Sequence, residues 1–127
     1  MLALRDWLHR SDEQARDTWC WLTSPSGPRA SGKMLGRVLR VYQRAQTGSK
    51  VIVAFEPPVN PQDTWWPGQC PKKGTWVLVA AHLWQPPGTH SGHPVWWIDQ
   101  VAGVWPGNLE RRAARFERHQ AQGPLGP

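Results

Sequence analysis

The stretch that most constrains the fold is residues 74–105, where two long apolar segments are joined by a loop rich in proline, glycine and histidine. In the first segment, residues 75–84, both alternate sets of side chains are largely apolar. A strand with one face in water alternates apolar with polar residues, whereas a strand covered on both faces is apolar almost throughout. The pattern predicts a central strand here and a less buried one over residues 95–104, where Asp99 and Gln100 interrupt the apolar run.

The length of 127 residues suits one domain. We expect a single compact domain over residues 1–120 and a disordered tail over residues 121–127. Residues 2–8 are too short and too charged for the apolar part of a signal peptide, and no apolar run approaches the roughly 20 residues that span a bilayer. Cys20 and Cys70 form no close-spaced pair, so neither a disulfide framework nor a zinc site is predicted. We therefore expect a cytoplasmic protein with no membrane segment, metal or cofactor.

Two patterns predict helices ahead of the sheet. Ser11 can cap a first helix over residues 12–22, with Gln14 completing a capping box. Residues 33–46 fit a second helix better than a strand, because their apolar side chains gather on one side of a helical wheel. As a strand, the same residues would place Arg37 and Arg40 among apolar neighbours, so that each face would mix apolar and charged side chains. The alternative for this segment is a first strand, which would make a small barrel.

The remaining segments complete the expected architecture. Residues 50–56 are rich in β-branched side chains and predict a short strand, while residues 59–73 contain several prolines and are typical of a long loop. Asn108 can cap a C-terminal helix over residues 109–120. We therefore predict an α+β fold with two N-terminal helices, a three-stranded antiparallel sheet and a C-terminal helix. The alternative is a small SH3-like or OB-like β-barrel with flanking helices.

The net charge of +6 is concentrated in two segments. Residues 28–50 carry six basic side chains and no acidic one, and residues 108–127 carry four arginines and two glutamates. On the predicted helices the arginines form two rows, each along one side. Arginine grips phosphate oxygens through two parallel hydrogen bonds, which makes these side chains candidate phosphate contacts. The alternative is a solvated helix face that keeps a tryptophan-rich protein soluble. The candidates are Lys33, Arg37, Arg40 and Arg44, with Arg111, Arg115 and Arg118 in the second row.

Ten tryptophans are more than a core of this size needs, and tryptophan is the side chain most used for stacking and for anchoring interfaces. Trp65 and Trp66 lie in the predicted loop, where they are candidates for stacking on bases. The alternative is that the loop folds back and both rings close one end of the core. Trp96 and Trp97 are neighbours on a predicted strand and point to opposite faces. We expect one of them in the core and the other exposed or beneath a helix.

One cluster has residue types that ligate metals: His82, His90 and His93, with Asp99 beyond. Its spacing matches no closed zinc pattern, so ordinary loop or core histidines are the favoured interpretation. No nucleophile signature, glycine-rich phosphate loop or glycosidase carboxylate pair stands out.

These observations favour a small basic module, not an enzyme, that binds DNA or RNA through an arginine-lined helix face with support from tryptophans. A rival hypothesis is a protein-interaction module, such as an inhibitor or accessory subunit, that docks on an acidic partner through loops rich in proline and tryptophan. A third and less favoured hypothesis is a small ribonuclease that uses His90 or His93. No motif in the sequence identifies a family.

Overall fold

A computed structural model describes residues 11–45, 48–56, 60–84 and 94–122 of the chain. The five strands form a closed barrel in the order β1-β2-β3-β5-β4. Neighbouring strands are antiparallel, except that β3 and β5 run parallel. In chain order the elements are helix α1 (Asp12–Thr23), a 3-10 turn (Pro28–Ser31), strands β1 (Met34–Ala45), β2 (Gly48–Glu56), β3 (Asn60–Pro67), β4 (Trp76–Trp84) and β5 (Val95–Trp105), and helix α2 (Leu109–Gln122).

The predicted sheet of three antiparallel strands behind two N-terminal helices is wrong. The described chain has one helix before the strands and one after them, and two further strands take the place of the second predicted helix and of the predicted loop. The alternative, a small β-barrel with flanking helices, is closer to the observed architecture.

The segment predicted as the second helix is strand β1, and two bulges explain the error. The register of β1 on β2 shifts between Val38 and Arg40 and again between Val41 and Gln43. Each extra residue reverses the alternation of faces, so Val38 and Val41 both pack into the barrel although they are three positions apart. A spacing of three is also that of a helix face. The bulged strand therefore imitates a helical pattern in the sequence.

The segment predicted as a loop contains strand β3, which pairs with β2 along its whole length. Proline lacks a backbone N–H and is tolerated in a sheet only where that group is not needed for pairing. Pro61 and Pro67 meet this condition in the described part of the chain, where β3 pairs with β5 only at Thr64 and Trp65.

Apolar side chains fill two cores, one on each side of the barrel wall. Strand β4 contributes to both, with Val77 and Val79 inside the barrel and Trp76 and Leu78 outside it, beneath the helices. The prediction that this strand is covered on both faces is confirmed for its first half. The residues at its other end, 82–84, are exposed. The outer core also contains Ala15, Leu22, Leu35, Trp105 and Leu109.

Both helices begin close to the predicted positions. The Ser11 side chain accepts a hydrogen bond from the backbone N–H of Gln14 at 3.2 Å, as a capping residue should. The two helices are joined by an ion pair in which Arg112 Nε donates to Asp12 Oδ1 at 3.1 Å. The Arg112 side chain is buried, and its outward-pointing neighbours on α2 are the arginines that the sequence singles out.

Some predictions fall on residues outside the described ranges. They include His90, His93 and residues 123–127 of the predicted tail. The first two residues of the predicted tail belong to α2, which continues through Gln122. Neither of the two described α-helices combines the length and the apolar composition of a bilayer-spanning helix.

Candidate functional site

One row of outward-facing side chains crosses four neighbouring strands of the barrel. Lys50 on β2 lies opposite Trp65 on β3, Trp65 lies opposite Trp97 on β5, and Trp97 lies opposite His82 on β4. Side chains alternate between the two faces of a strand, and residues adjacent to the row on β2, β3 and β5 are accordingly buried: Val51, Thr64 and Ile98. We call Lys50, Trp65, Trp97 and His82 the outer row.

Three indole rings form a continuous patch within and beside this row. The ring centroids of Trp65 and Trp97 are 5.9 Å apart, with planes inclined by 34°. Trp84, two residues beyond His82 on β4, contacts Trp97 edge-on at 5.6 Å. Trp84 is 40% exposed, and the other two rings are half-buried. These three residues, the tryptophan patch, present aromatic surface away from the outer core that the two described helices cover.

Gly48 determines how the ring of Trp65 lies on the barrel surface. A Cβ atom added to Gly48 would come within 2.7 Å of Trp65 Cε2, which is closer than atoms of this kind approach one another. The ring therefore leans over a backbone position that has no side chain. Any larger residue at Gly48 would have to displace this ring and also the backbone carbonyl oxygen of Trp66, which would lie 2.8 Å from the added Cβ.

Beyond Lys50, strand β1 places one more aromatic ring and one more cation beside the outer row. Tyr42 is 51% exposed, and the guanidinium carbon of Arg40 lies 4.6 Å from the centre of its ring. Arg40 is paired with Ile52, and farther along the same two strands Gln43 is paired with Lys50. Arg40 and Lys50 thus supply positive charge at the β1–β2 end of the row.

His82, at the other end of the row, is held by an exposed carboxylate. Its Nδ1 lies 2.8 Å from Oδ2 of Asp99, and both side chains are about half exposed. His82 and Asp99 belong, with His90 and His93, to the cluster of residue types that can ligate metals. Within the described ranges, no three His, Cys, Asp or Glu side chains converge on a point that could hold a metal ion. The contact orients the imidazole beside Trp97.

The arginine row predicted on a helix is divided between different environments on β1. Arg37 is half-buried: its Nε donates to the carbonyl oxygen of Gly74 at 3.2 Å, and its guanidinium lies 5.5 Å from the centre of the Trp76 ring. Arg40 lies on the exposed surface described above. Arg44 pairs through its backbone with Ser49, near the end of the strand. Lys33 precedes β1 and is half-buried.

Trp65 and Trp66, which were predicted in a loop, lie on opposite faces of the barrel wall because they are neighbours on strand β3. Trp66 is 3% exposed and packs inside the barrel. Trp65 faces outward in the tryptophan patch. The same rule separates Trp96, which packs against the core and lies 5.8 Å from the Phe55 ring, from the outward-facing Trp97. The expectation that Trp96 and Trp97 serve opposite faces is thus confirmed.

The arginines of the second predicted row, Arg111, Arg115 and Arg118, are exposed on α2. Arg115 lies 3.6 Å from Asp12, beyond the buried Arg112. The helices cover β4 at Trp76, whereas the tryptophan patch contains Trp84, about 26 Å farther along the same strand. These arginines and the outer row therefore belong to separate surfaces of the barrel.

Sequence reasoning missed Lys50, Trp84 and Trp97 as members of one site. Each lies on a different strand, so only the pairing of strands brings them together. The available signal was the alternation along residues 63–66, where recognition of a strand would have placed Trp65 outside and Trp66 inside.

No protein-family model matches the chain, and comparisons with curated proteins and with solved structures find no match either.

Proposed function

We propose that this protein binds single-stranded nucleic acid across the outer row. The observation that carries the proposal is the tryptophan patch, held in register across three strands and bordered by Lys50 and Arg40. Bases stack on tryptophan rings whatever their identity, and cations beside the rings pair with the phosphates that link the bases. Both requirements for binding a flexible polyanion lie on one surface.

The preference for single strands follows from which part of a base is accessible. In a duplex the flat faces of the bases are stacked on one another, so the rings of Trp65 and Trp97 have no base face to contact. In a single strand the bases can be separated and laid on aromatic side chains. A surface that offers indole rings is therefore better suited to an unpaired strand than to a double helix.

The strand arrangement supports the same proposal by analogy. A closed five-stranded barrel in the order β1-β2-β3-β5-β4 is OB-like, and OB-folds bind oligonucleotides on strands two and three and on the adjoining loops. Lys50 and Trp65 lie on those two strands, opposite one another. Fold does not by itself imply function, so the analogy adds weight only because the side chains on this face have suitable chemistry.

A titration with fluorescently labelled strands tests the proposal. DNA and RNA oligonucleotides of about 12 nucleotides, single-stranded and as duplexes, are added at two salt concentrations, and anisotropy is measured. We expect single strands to bind more tightly than duplexes, with log affinity falling by about 0.7 for each phosphate contact per unit of log salt. The labelled RNA should remain intact, whereas cleavage would favour the ribonuclease hypothesis.

A failure of every strand to bind at low salt would reject the proposal. The exposed Leu83 and Trp84 would then favour the protein-interaction hypothesis. Tighter binding of duplexes than of single strands would also count against the tryptophan patch, since its rings cannot reach stacked bases.

A further inference from the structure

A cleft of about 470 Å³ lies beside Trp65 at the β1–β2 end of the outer row. Tyr42 lines it from β1, Lys50 from β2, Asp63 and Trp65 from β3, and Val95 from the start of β5. A volume of this size suits a small organic group with specific polar contacts. The cleft thus combines two aromatic rings, one cation and one carboxylate.

The order of the strands explains why these side chains line the same cleft. β1 and β3 flank β2 on opposite sides, so their backbones lie about 10 Å apart, with Lys50 between them. Asp63 lies two residues before Trp65 and opposite Ile52, which places its carboxylate on the same outer face. Among the described residues, none provides the Asp63 carboxylate with a hydrogen bond or an ion pair. No described side chain therefore competes with a ligand for its oxygens.

A carboxylate is unexpected on a surface that binds a polyanion, because it repels phosphate. It becomes favourable only where the ligand offers hydrogen-bond donors to it, since bonds to an ionised acceptor are about twice as strong as neutral ones. Asp63 therefore restricts what the cleft can accept. The ligand must present a flat ring to Trp65 or Tyr42, negative charge to Lys50, and N–H groups to Asp63.

We propose that this cleft binds one nucleobase of the strand and prefers guanine, an inference that rests on the proposed single-strand binding. Guanine presents two adjacent donors, N1–H and an N2 amine hydrogen, which match the two oxygens of a carboxylate. Thymine and uracil present one N–H between two carbonyl oxygens, which a carboxylate repels. Adenine and cytosine present an amine beside an acceptor nitrogen, so they offer a single bond.

A comparison of strands that differ at one base tests this preference. The probes are thymidine oligonucleotides of about 12 nucleotides whose central base is guanine, hypoxanthine, adenine or thymine. Hypoxanthine keeps the N1–H of guanine and lacks its amine. Because a bidentate pair discriminates by about 5- to 150-fold, we expect guanine to bind at least about fivefold more tightly than thymine, with hypoxanthine between them.

The variant Asp63→Ala should change the affinity for the guanine strand in opposite directions under the two possible roles of the carboxylate. If the carboxylate receives guanine donors, its removal weakens the guanine strand and leaves the all-thymine strand unchanged or tighter. If the carboxylate only repels phosphate, its removal tightens all strands equally. Asp17→Ala is the matched control, because Asp17 is also an exposed aspartate but lies on α1, pairs with Arg16 and does not line the cleft. Circular dichroism checks that both variants fold.

Three outcomes overturn the inference, and they differ in what they leave standing. Equal binding of all four strands, or an Asp63→Ala variant that tightens the guanine strand along with the others, would remove the guanine preference and leave single-strand binding intact. Absence of binding to any strand would remove both. Guanine preference that is lost in Asp63→Ala and retained in Asp17→Ala would support the assignment.

Discussion

Arg112 Nε on α2 donates a hydrogen bond to Asp12 Oδ1 in the first turn of α1, at 3.1 Å, and so joins two helices that lie a hundred residues apart in the chain. The side chain of Arg112 is 9% exposed and that of Asp12 is 28% exposed. The helices that this pair joins cover Trp76 and Leu78 on the outside of the barrel. The contact therefore contributes to the outer core as well as to the packing of the helices.

We expect Asp12→Ala to destabilise the protein by about 1–3 kcal/mol, because it removes a charged acceptor of the buried Arg112 guanidinium. Urea unfolding followed by circular dichroism measures the change. Asp17→Ala is the control, since Asp17 lies on the same helix, is 62% exposed and pairs with the adjacent Arg16. Its effect should stay within about 0.5 kcal/mol. Equal losses in the two variants would show that the ion pair with Arg112 adds nothing specific.

Trp76→Ala should cost about 3–5 kcal/mol, because the ring fills the outer core and leaves a cavity when removed. The ring is 3% exposed and lies 4.9 Å from that of Trp19. Trp76→Phe should cost clearly less. It preserves an aromatic ring and removes an Nε1–H that is buried without a hydrogen-bond partner among the described residues. Similar unfolding midpoints for the Ala and Phe variants would contradict this account.

Trp97→Ala should weaken single-strand binding by about 5- to 150-fold, because stacking on one ring contributes about 1–3 kcal/mol. The ring lies at the centre of the tryptophan patch, in contact with Trp65 and Trp84. Anisotropy titration against a thymidine oligonucleotide gives the affinity. Trp21→Ala is the control, since Trp21 is 52% exposed on α1, away from the patch. Equal loss of affinity in both variants would disconnect binding from the patch.

Changing Arg40 and Lys50 together to alanine should flatten the dependence of log affinity on log salt by about 1.4, since each phosphate contact with a single strand contributes about 0.7. The control is the double variant Arg111→Ala with Arg118→Ala, on α2, which should leave the slope unchanged. The reverse result would place the phosphate path along α2, where the sequence predicts the second, assisting row of arginines. Measurements at four or more salt concentrations suffice to separate the two.

Gly48→Ala should weaken binding without removing any ring, because the new methyl group would displace Trp65 from the barrel surface. We expect a loss smaller than that of Trp65→Ala and a cost in stability of about 1–3 kcal/mol from overpacking. Trp65→Ala in the Gly48→Ala background should then have a reduced further effect. Independent, additive effects on affinity would show that Gly48 does not act through Trp65.

The parts of the fold that depend on neighbouring residues were predictable. Ser11 and Gln14 mark the start of α1 through a contact within four residues, and the apolar run at residues 76–79 indicates a strand covered on both faces. The amphipathic pattern of residues 109–120 likewise predicts α2. Each of these signals comes from a segment whose structure is determined by its own residues and by burial alone.

The errors arose where pairing with another strand overrides the local pattern. The bulges in β1 let Val38 and Val41 face the same side at a helical spacing, and only the register with β2 distinguishes the two structures. Strand β3 carries two prolines that are typical of a loop. Among the described residues, β5 pairs with β3 at two positions, and both lie between the prolines.

The basic charge, the richness in tryptophan and the central apolar strand can all be read from the residues alone, and so can the candidacy of Trp65 and Arg40 for ligand contact. Which candidates share a surface depends on how the strands pair. Closure of the barrel brings Lys50, Trp65 and Trp97 into register from three strands, and it encloses Trp66 while the helices cover Trp76. The reason is physical: alternation within a strand separates neighbours onto opposite faces, whereas hydrogen bonding between strands joins residues that are distant in the chain.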